Sequence, residues 1–232
     1  DAIPDHFVGV ILANEVCDAM PVHCLQFDNG IAQERYIECI NGELQWIIDE
    51  LSQTELTAHT ETIISLIGDA SYRTEVNLAA ESWLASIAEN IQQGAVFIID
   101  YGYTKTDYYH PQRSDGTLMC YYQHQGHDNP LILQGLQDIT AHVDFTALAQ
   151  VAFDSGLQVA GFQSQADFLL AGGITEFSDP NADALTQLQQ ATEIKQLTLP
   201  SEMGENFKVL SLTKGLDQLL NKAQLGDRRH SL

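Results

Sequence analysis

Basic residues are scarce in this sequence: 10 lysines and arginines stand against 32 aspartates and glutamates, for a formal net charge of −22. That charge argues against binding to nucleic acid or an anionic membrane and favours cationic partners, although acidity also serves solubility alone. Long apolar runs are absent too, because residues 8–13 and 95–99 fall far short of the roughly 20 residues that cross a bilayer. We therefore expect a soluble globular protein that binds neither nucleic acid nor membrane; its oligomeric state stays open.

Several motifs of catalysis and ligand binding are also missing. Neither the GxSxG nucleophile elbow nor the GxGxxG and GxxxxGK[ST] phosphate loops occur. The four cysteines form no CxxC pair, so free thiols in a reducing, cytoplasmic compartment are expected rather than disulfides or structural zinc. No signal peptide is visible, and the chain starts almost directly on an apolar run, which suggests that an N-terminal half is missing.

The stretch that organises the chain is residues 8–22, in which an apolar run ends at Asn14 and Glu15 and resumes after Asp18. Apolar residues without alternation are typical of a strand buried on both faces of a parallel sheet. Polar side chains at the carboxyl end of such a strand lie where open α/β sheets bind ligands. Capping of the following turn by Asn14 and Asp18 is the simpler alternative.

A second apolar run ends in Asp100, and it follows a helical pattern that opens at residues 72–75 with Thr74 as N-cap and closes at Gly94. Strand, helix and strand together predict a βαβ crossover, which is right-handed by default. Before that helix, two Asn-Gly dipeptides predict a three-stranded antiparallel meander within residues 22–50.

The remaining segments are connections and further sheet elements. Residues 50–71 are polar and are expected to connect along the surface, whereas residues 101–145 form a long insertion that would cover the active site. Later patterns predict helices at 145–155, 165–171 and 181–197, and strands at 157–162 and 207–212, the last returning antiparallel along the sheet edge. Residues 1–215 would form one partial domain and residues 216–232 a polar tail.

Four carboxylates could meet at the sheet edge: Glu15 and Asp18 after the first strand, Asp100 after the second, and Glu75 at the start of the crossover helix. Convergent carboxylates bind cations, whether a metal, a sulfonium or a guanidinium, and the planar guanidinium fits a carboxylate in a bidentate manner. Each acid could equally cap a helix or face solvent.

A second polar group, His124, His127 and Asp128, would suit a metal hydrolase. Its sequence has the composition of a turn, however, and no histidine pair shows the i, i+4 spacing of a helical metal site, so no metal is predicted. Further along, Asp144 or Thr146 is expected to cap the next helix.

Several separately spaced motifs follow one another along the chain: NEVCDAMPV at 14–22, ER at 34–35, YRTEVN at 72–77, DYGY at 100–103, YYHP at 108–111, Arg113, GTL at 116–118 and DITAHVDF at 138–145. Together they resemble the MidA family of S-adenosylmethionine-dependent methyltransferases, which includes the mitochondrial complex I assembly factor. The resemblance covers most of the chain, and it is specific because the motifs occur as a set.

The resemblance implies an α/β fold that is the C-terminal portion of a Rossmann-like seven-stranded methyltransferase sheet. Residues 8–13, 95–100 and 157–162 would be its fourth, fifth and sixth strands, and residues 207–212 its reversed seventh. The implied cofactor is S-adenosylmethionine, whose glycine-rich loop would lie with strands one to three outside this chain. The implied compartment is the cytoplasm, or the mitochondrial matrix if the source is eukaryotic.

The resemblance further implies methyl transfer to an arginine side chain of a protein with a basic segment. Alignment and negative charge around two cationic groups would promote such a displacement. We expect Glu15 and Glu75 to clamp the guanidinium, with Asp18 and Asp100 supporting them, and Tyr101 to form an aromatic wall. His142 would accept the proton or orient Asp144. Contacts to the cofactor are expected from Asn14, Glu15 and Asp18. The alternative is a non-catalytic binding protein or assembly chaperone that keeps the fold.

Overall fold

The computed structural model describes residues 3–123, 125–216 and 226–232, which adopt a mixed α/β fold. The strands in these ranges are β1 (Phe7–Asn14), β2 (His23–Asp28), β3 (Ile31–Ile40), β4 (Glu43–Asp49), β5 (Tyr72–Val76), β6 (Ile91–Tyr103), β7 (Met119–Tyr122), β8 (Gln125–His127), β9 (Asp138–Thr140), β10 (Val143–Asp144), β11 (Gln158–Ser164) and β12 (Phe207–Lys214). The helices are α1 (Leu56–Ile67), α2 (Leu78–Asn90), α3 (Lys105–Tyr108), α4 (Phe145–Asp154), α5 (Gln165–Ala171), α6 (Ala184–Thr198) and α7 (Met203–Asn206).

The main sheet has the order β1-β6-β12-β11, and the short β10 pairs with the end of β6. β1 and β6 are parallel neighbours, as the crossover pattern predicts. β12 is antiparallel to both β6 and β11. The prediction that the last strand runs antiparallel is confirmed, but its predicted position at the sheet edge is wrong. β12 lies between β6 and β11, where Val209, Leu210 and Leu212 on its two faces are fully buried.

One face of β1 is exposed, so the prediction that this strand is buried on both faces is wrong for this chain. Val8, Val10 and Leu12 are 68, 69 and 67% exposed, whereas Ala13 is buried. Within the described ranges β1 pairs with β6 alone, and its other edge is free. The apolar run correctly indicates a strand whose side chains are apolar on both faces. The described part of the chain packs against only one of those faces.

The second sheet is antiparallel and has the order β4-β3-β2-β5. Its first three strands confirm the meander, and Asn29 and Asn41 adopt the positive φ angles that Asn-Gly turns require. The sequence pattern places a helix start at residues 72–75, yet these residues form β5 because they pair with the free edge of β2. The cap is Asn77 rather than Thr74: its side chain accepts from the Ala80 N–H at 2.9 Å.

Helix α1 occupies much of the segment predicted to be a surface connection. Leu56, Thr60 and Ile63 are buried on one side of α1, where the two apolar residues pack with Leu25 and Phe27 of β2. The stripe is narrow and the rest of the helix is polar, so the overall composition of residues 50–71 conceals it.

The main sheet is covered on both faces. Leu84 of α2 and Leu148 of α4 pack with Ile98 of the sheet in the larger core cluster. Phe97 points to the opposite face, where its ring centroid lies 5.6 Å from that of Phe168 in α5. None of the helices in the described ranges is both long and apolar enough to span a membrane.

The insertion at residues 101–145 contains short elements, including a small antiparallel sheet of order β8-β7-β9. The helices and strands predicted after it are all present as α4, β11, α5, α6 and β12. Of the predicted tail, residues 217–225 lie outside the described ranges. Residues 226–232 are packed onto the domain: the Arg228 N–H donates to the Phe162 carbonyl at 2.6 Å, and Leu232 contacts the core.

Gly94 lies inside β6 rather than at the end of the preceding helix, because α2 ends at Asn90. Its φ angle is +154°, and a Cβ atom at this position would overlap the carbonyl oxygen of Gly9 on the neighbouring β1. Glycine at position 94 therefore permits a close approach of the parallel strands whose ends form the candidate site.

Replacing Gly94 with alanine should lower the free energy of unfolding by at least about 3 kcal/mol, because the new methyl group cannot fit beside Gly9 without moving β1. Gly42→Ala is the matched control: it places alanine at φ +88° with nothing within 4 Å of the new Cβ. The control should cost about 1–2 kcal/mol from backbone strain alone. Urea unfolding measures both values, and equal losses would contradict the close-approach explanation.

Candidate functional site

The carboxyl ends of β1 and β6 lie side by side and are joined by Asp100. In the parallel register Asn14 is opposite Ile99, and the Glu15 N–H donates to the Ile99 carbonyl at 2.9 Å. Asp100 is fully buried, and its Oδ2 accepts from the backbone N–H groups of Cys17 at 3.1 Å and of Asp18 at 3.2 Å. Its Oδ1 accepts from the Tyr101 N–H at 3.0 Å. One carboxylate thus fixes the loop after β1 onto β6.

The protonation of Asp100 is balanced near neutrality. Burial, followed by the charge of Asp18, raises the pKa of Asp100 from 3.8 to about 7, while the N–H groups of Asp18, Tyr101 and Cys17 oppose the shift.

Asp18 is buried beside Tyr101. It is 4% exposed, and its Oδ2 accepts a short hydrogen bond from the Tyr101 hydroxyl. Burial, together with this hydrogen bond to Asp18, raises the pKa of Tyr101, so Tyr101 remains a donor at neutral pH. Asp18 Oδ1 is buried and has no hydrogen-bond partner among the described residues. A buried carboxylate oxygen without a donor is suited to receive one from a ligand.

His142 packs against the aromatic side chains of this edge. Its ring lies edge-on to Tyr101 and tilted against Tyr103, with centroid distances of 5.2 Å in each case. Burial, and secondarily the charge of Arg113, lowers the pKa of His142 to about 4, so the imidazole is neutral at pH 7. Asp144 accepts from the N–H groups at positions 146 and 147 at 3.0 and 3.1 Å, which confirms it as the cap of α4.

Glu75 is buried in a separate set of contacts. Its Oε2 accepts from both the N–H and the hydroxyl of Thr117 at 2.8 Å, and the same hydroxyl accepts from the His142 N–H at 3.0 Å. Burial raises the pKa of Glu75. Gly116 has φ +84°, and a Cβ there would overlap Glu75 Oε1. Glu75 therefore holds the loop at residues 116–117 and, through Thr117, the backbone of His142.

Glu15 lies at the exposed rim of the site. Its φ angle is +49°, a sparsely populated conformation for a residue with a side chain, and its Oε1 accepts from Asn14 Nδ2 at 3.3 Å. Strained backbone of this kind clusters at functional sites. Glu15 and Glu75 share no hydrogen-bond partner in the part of the chain that is described.

A cleft of about 310 Å³ opens beside Tyr101, Tyr103 and His142. Its other walls include Glu205 and Arg228, which the sequence patterns did not indicate because they belong to a short helix and to the tail. The structure therefore brings together Asp18, Asp100, Tyr101 and His142, connects Glu75 to them through Thr117, and leaves Asn14 and Glu15 at the rim.

The second polar group of the sequence has a different environment. His127 Nδ1 accepts from the Asn129 N–H at 3.3 Å, as in the turn that its composition predicts. His124 lies outside the described residues. Across the residues that are described, no three histidine, cysteine, aspartate or glutamate side chains lie close enough together to hold a metal ion.

A family model described as "Putative S-adenosyl-L-methionine-dependent methyltransferase" matches residues 1–163. The chain belongs to this family. The resemblance drawn from the spaced motifs is thereby confirmed.

Relatives of this methyltransferase family member include animal proteins. The Drosophila melanogaster protein named "Protein arginine methyltransferase NDUFAF7 homolog, mitochondrial" is 31% identical over 227 residues, which are 92% of this chain and 49% of that protein. The Danio rerio protein arginine methyltransferase NDUFAF7, also named mitochondrial, is 30% identical over 95% of this chain and 49% of its own length. The chain spans about half the length of these curated relatives.

Two crystal structures of proteins from Burkholderia thailandensis share the fold of this family member. Each is 38% identical and superposes with a TM-score of 0.92 over 100% of this chain. The chain covers 60% and 62% of the chains in these two structures, the first of which is bound to S-adenosyl-homocysteine. This likeness confirms the mixed α/β fold as that of a methyltransferase.

Replacing Asp18 with asparagine should lower the pKa of Asp100, because it removes a negative charge that helps raise that pKa to about 7. The contribution of Asp100 to stability is fully present below 3.8, its ordinary pKa, and is lost as the pH rises through about 7. The variant should therefore lose less stability than the wild type between about pH 4 and about pH 7. Carbon-detected NMR titration of the carboxyl groups and urea unfolding measure the two effects.

Asp28→Asn is the matched control, because Asp28 is an exposed acid at the end of β2 and has no contact with Asp100. It removes the same charge and should change neither quantity. An Asp100 pKa that stays the same in the Asp18→Asn variant would show that Asp18 is not the charge responsible.

Proposed function

We propose that this chain is the substrate-facing part of an S-adenosylmethionine-dependent methyltransferase that modifies an arginine side chain of a protein. The observation that carries the proposal is Asp18 Oδ1, a buried carboxylate oxygen without a donor at the carboxyl end of β1, beside Asp100 and Tyr101. A ligand with N–H groups and positive charge satisfies both needs of this oxygen. The names of the animal relatives support arginine as the acceptor.

The proposed sheet position is that β1, β6, β11 and β12 are the fourth to seventh strands of the family's seven-stranded sheet. The free edge and exposed apolar face of β1 support this, since further strands would pair with the edge and their connecting helices would cover the face. The relatives carry about as much additional length as this chain covers. In this proposal, that additional part supplies the main cofactor loop, while Asn14, Glu15 and Asp18 face the cofactor from this side.

S-adenosylmethionine, when bound, would supply a methyl group on a sulfonium whose sulfur keeps the bonding electron pair. Asp18 Oδ1 would accept a hydrogen bond from the guanidinium nitrogen and take the proton that this nitrogen loses on methylation. Glu15, at the exposed rim, would contact the guanidinium from the other side, and Asp100 would keep Asp18 in place through its backbone N–H. The ring of Tyr101 would form the wall of the site.

Glu75 and His142 take positioning roles in this proposal rather than the roles suggested by sequence. Both hydrogen bonds to Glu75 Oε2 come from Thr117, which makes Glu75 a support for the loop and not a second half of a guanidinium clamp. His142 makes no hydrogen bond to Asp144, and its pKa of about 4 disfavours proton acceptance at neutral pH. The neutral ring instead fixes the orientation of Tyr101.

In the whole protein, Asp18→Asn should lower kcat/KM for methyl transfer to an arginine-containing peptide by roughly 10–100-fold, the cost of losing a hydrogen bond between charged partners. Glu15→Gln should lower it by a similar factor. Mass spectrometry of the peptide and formation of S-adenosyl-homocysteine give the rates, and calorimetry gives the affinity for the methyl donor.

Glu43→Gln serves as the control for Glu15→Gln, because Glu43 is an exposed acid at the start of β4, remote from the site. A wild-type protein that binds the peptide and the methyl donor but forms no S-adenosyl-homocysteine would favour the alternative, a binding protein or assembly chaperone. Full activity in the Asp18→Asn variant would disprove the assignment of that residue.

A further inference from the structure

The cleft beside Tyr101 contains an arginine of the chain itself. Arg228 Nη1 lies 2.5 Å from Glu205 Oε1, and Nη2 lies 3.1 Å from Oε2, so the pair is bidentate. Both residues line the cleft of about 310 Å³ that Tyr101, Tyr103 and His142 also line. A guanidinium held by a carboxylate next to aromatic rings is the arrangement by which proteins recognise arginine side chains.

The segment that carries Arg228 is held in the manner of a bound peptide. The Arg228 N–H donates to the Phe162 carbonyl of β11 at 2.6 Å, and the Phe162 N–H donates to Asp227 Oδ1 at 3.2 Å. Arg229 Nη1 donates to the Val159 carbonyl at 3.1 Å. Residues 227–229 therefore lie along β11 and use its backbone groups, as added peptides do at the edge of a sheet.

The segment also has the charge expected of a basic substrate. Arg228 and Arg229 are the only adjacent basic residues in a sequence of net charge −22, and His230 follows them. Arg228 Nη2 additionally lies 3.6 Å from Asp167 Oδ2, so two carboxylates face this guanidinium.

We propose that this cleft is a binding site for a basic peptide, that Glu205 receives an arginine of that peptide, and that residues 226–232 occupy the site as an internal substitute. The inference rests on the proposed function for the identity of the peptide as the methyl acceptor. It adds the location of the peptide, a residue that selects its sequence, and a segment that competes with it.

The arginine held by Glu205 is a flanking residue and not the one that is methylated. The hydroxyl of Tyr101 reaches Asp18, whereas its ring contacts Phe207 with centroids 5.5 Å apart. Glu205 and Tyr101 both line the cleft and Asp18 does not, so the two carboxylates provide separate contacts. A peptide that presents one arginine to Asp18 would thus place a neighbouring arginine at Glu205.

The internal pair can be displaced because it is partly solvated. The side chains of Arg228 and Glu205 are 38% and 43% exposed, and ion pairs at such exposure contribute little net stability. Glu205 stays ionised after displacement, since Lys208 Nζ also lies 3.0 Å from its Oε1. An incoming arginine therefore replaces the bidentate Arg228–Glu205 pair with an equivalent pair. The affinity for the peptide then depends mainly on the fraction of molecules in which residues 226–232 have left the site.

The test is fluorescence anisotropy of a labelled peptide, Gly-Ser-Arg-Gly-Arg-Gly-Ser, added to the whole protein. Arg228→Gln should tighten binding by roughly threefold or more, because it removes the competing side chain. Arg73→Gln removes the same charge from an exposed residue of β5 that neither lines the cleft nor holds the segment, and it should leave the affinity at the wild-type value. Adding Glu205→Gln to Arg228→Gln should weaken binding by roughly tenfold, the loss of a charged hydrogen-bonding pair.

Equal affinities for the Arg228→Gln and Arg73→Gln proteins, or an unchanged affinity after Glu205→Gln, would overturn the proposal. Thermal unfolding of each variant checks that the domain remains folded. Arg228→Lys, which keeps the charge but loses the bidentate geometry, should give an intermediate affinity. No methyl donor is needed in this assay. If the protein transfers methyl groups but Arg228→Gln does not bind the peptide more tightly, the proposed function stands and this inference is rejected. If Arg228→Gln binds the peptide more tightly but the protein transfers no methyl group, this inference stands and the proposed function is rejected.

Discussion

The candidate site depends on one buried carboxylate. Asp100 accepts three backbone hydrogen bonds, and two of these come from the loop that follows β1. A buried carboxyl group is tolerated only when such donors satisfy it, and here the donors are the N–H groups whose positions determine where Asp18 and Tyr101 point. Burial, and after it the charge of Asp18, raises the pKa of Asp100 to about 7, so the geometry that orders the loop also determines the charge at the sheet edge.

A second residue, Asn77, connects this edge to the antiparallel sheet. Its Oδ1 caps α2 by accepting from the Ala80 N–H at 2.9 Å, while its Nδ2 donates to the Cys17 carbonyl at 2.8 Å. The loop after β1 is therefore attached to β6 through Asp100 and to the end of β5 through Asn77. Glu75 lies two residues before Asn77, so its contact with Thr117 is held in fixed relation to the site. The second sheet is thus part of the site's support.

The sequence predicts best those features that depend on neighbouring residues. The apolar runs that end in Asn14 and Asp100, the Asn-Gly turns and the Asp144 cap are local signals, and each is found where it is expected. β5 is missed because the helical spacing of residues 76–91 extends backward over it, whereas its actual conformation is decided by the free edge of β2. The exposed face of β1 is missed for a similar reason, since an apolar run shows what a strand could bury but not whether a partner is present.

The contacts around the cleft are harder to predict because they join distant parts of the chain. Several of the few arginine and lysine side chains in this acidic sequence are engaged in specific contacts. Arg113 lies over the ring of Tyr103 at 3.9 Å and Arg35 over that of Trp46 at 4.2 Å, so these charges support aromatic side chains. Lys208 and Arg228 are both paired with Glu205. The formal net charge of −22 already includes these cations, so the long-range field is negative and favours the approach of cationic partners. Short-range pairing at Glu205 can then select among such peptides, because a bidentate contact discriminates by geometry as well as by charge.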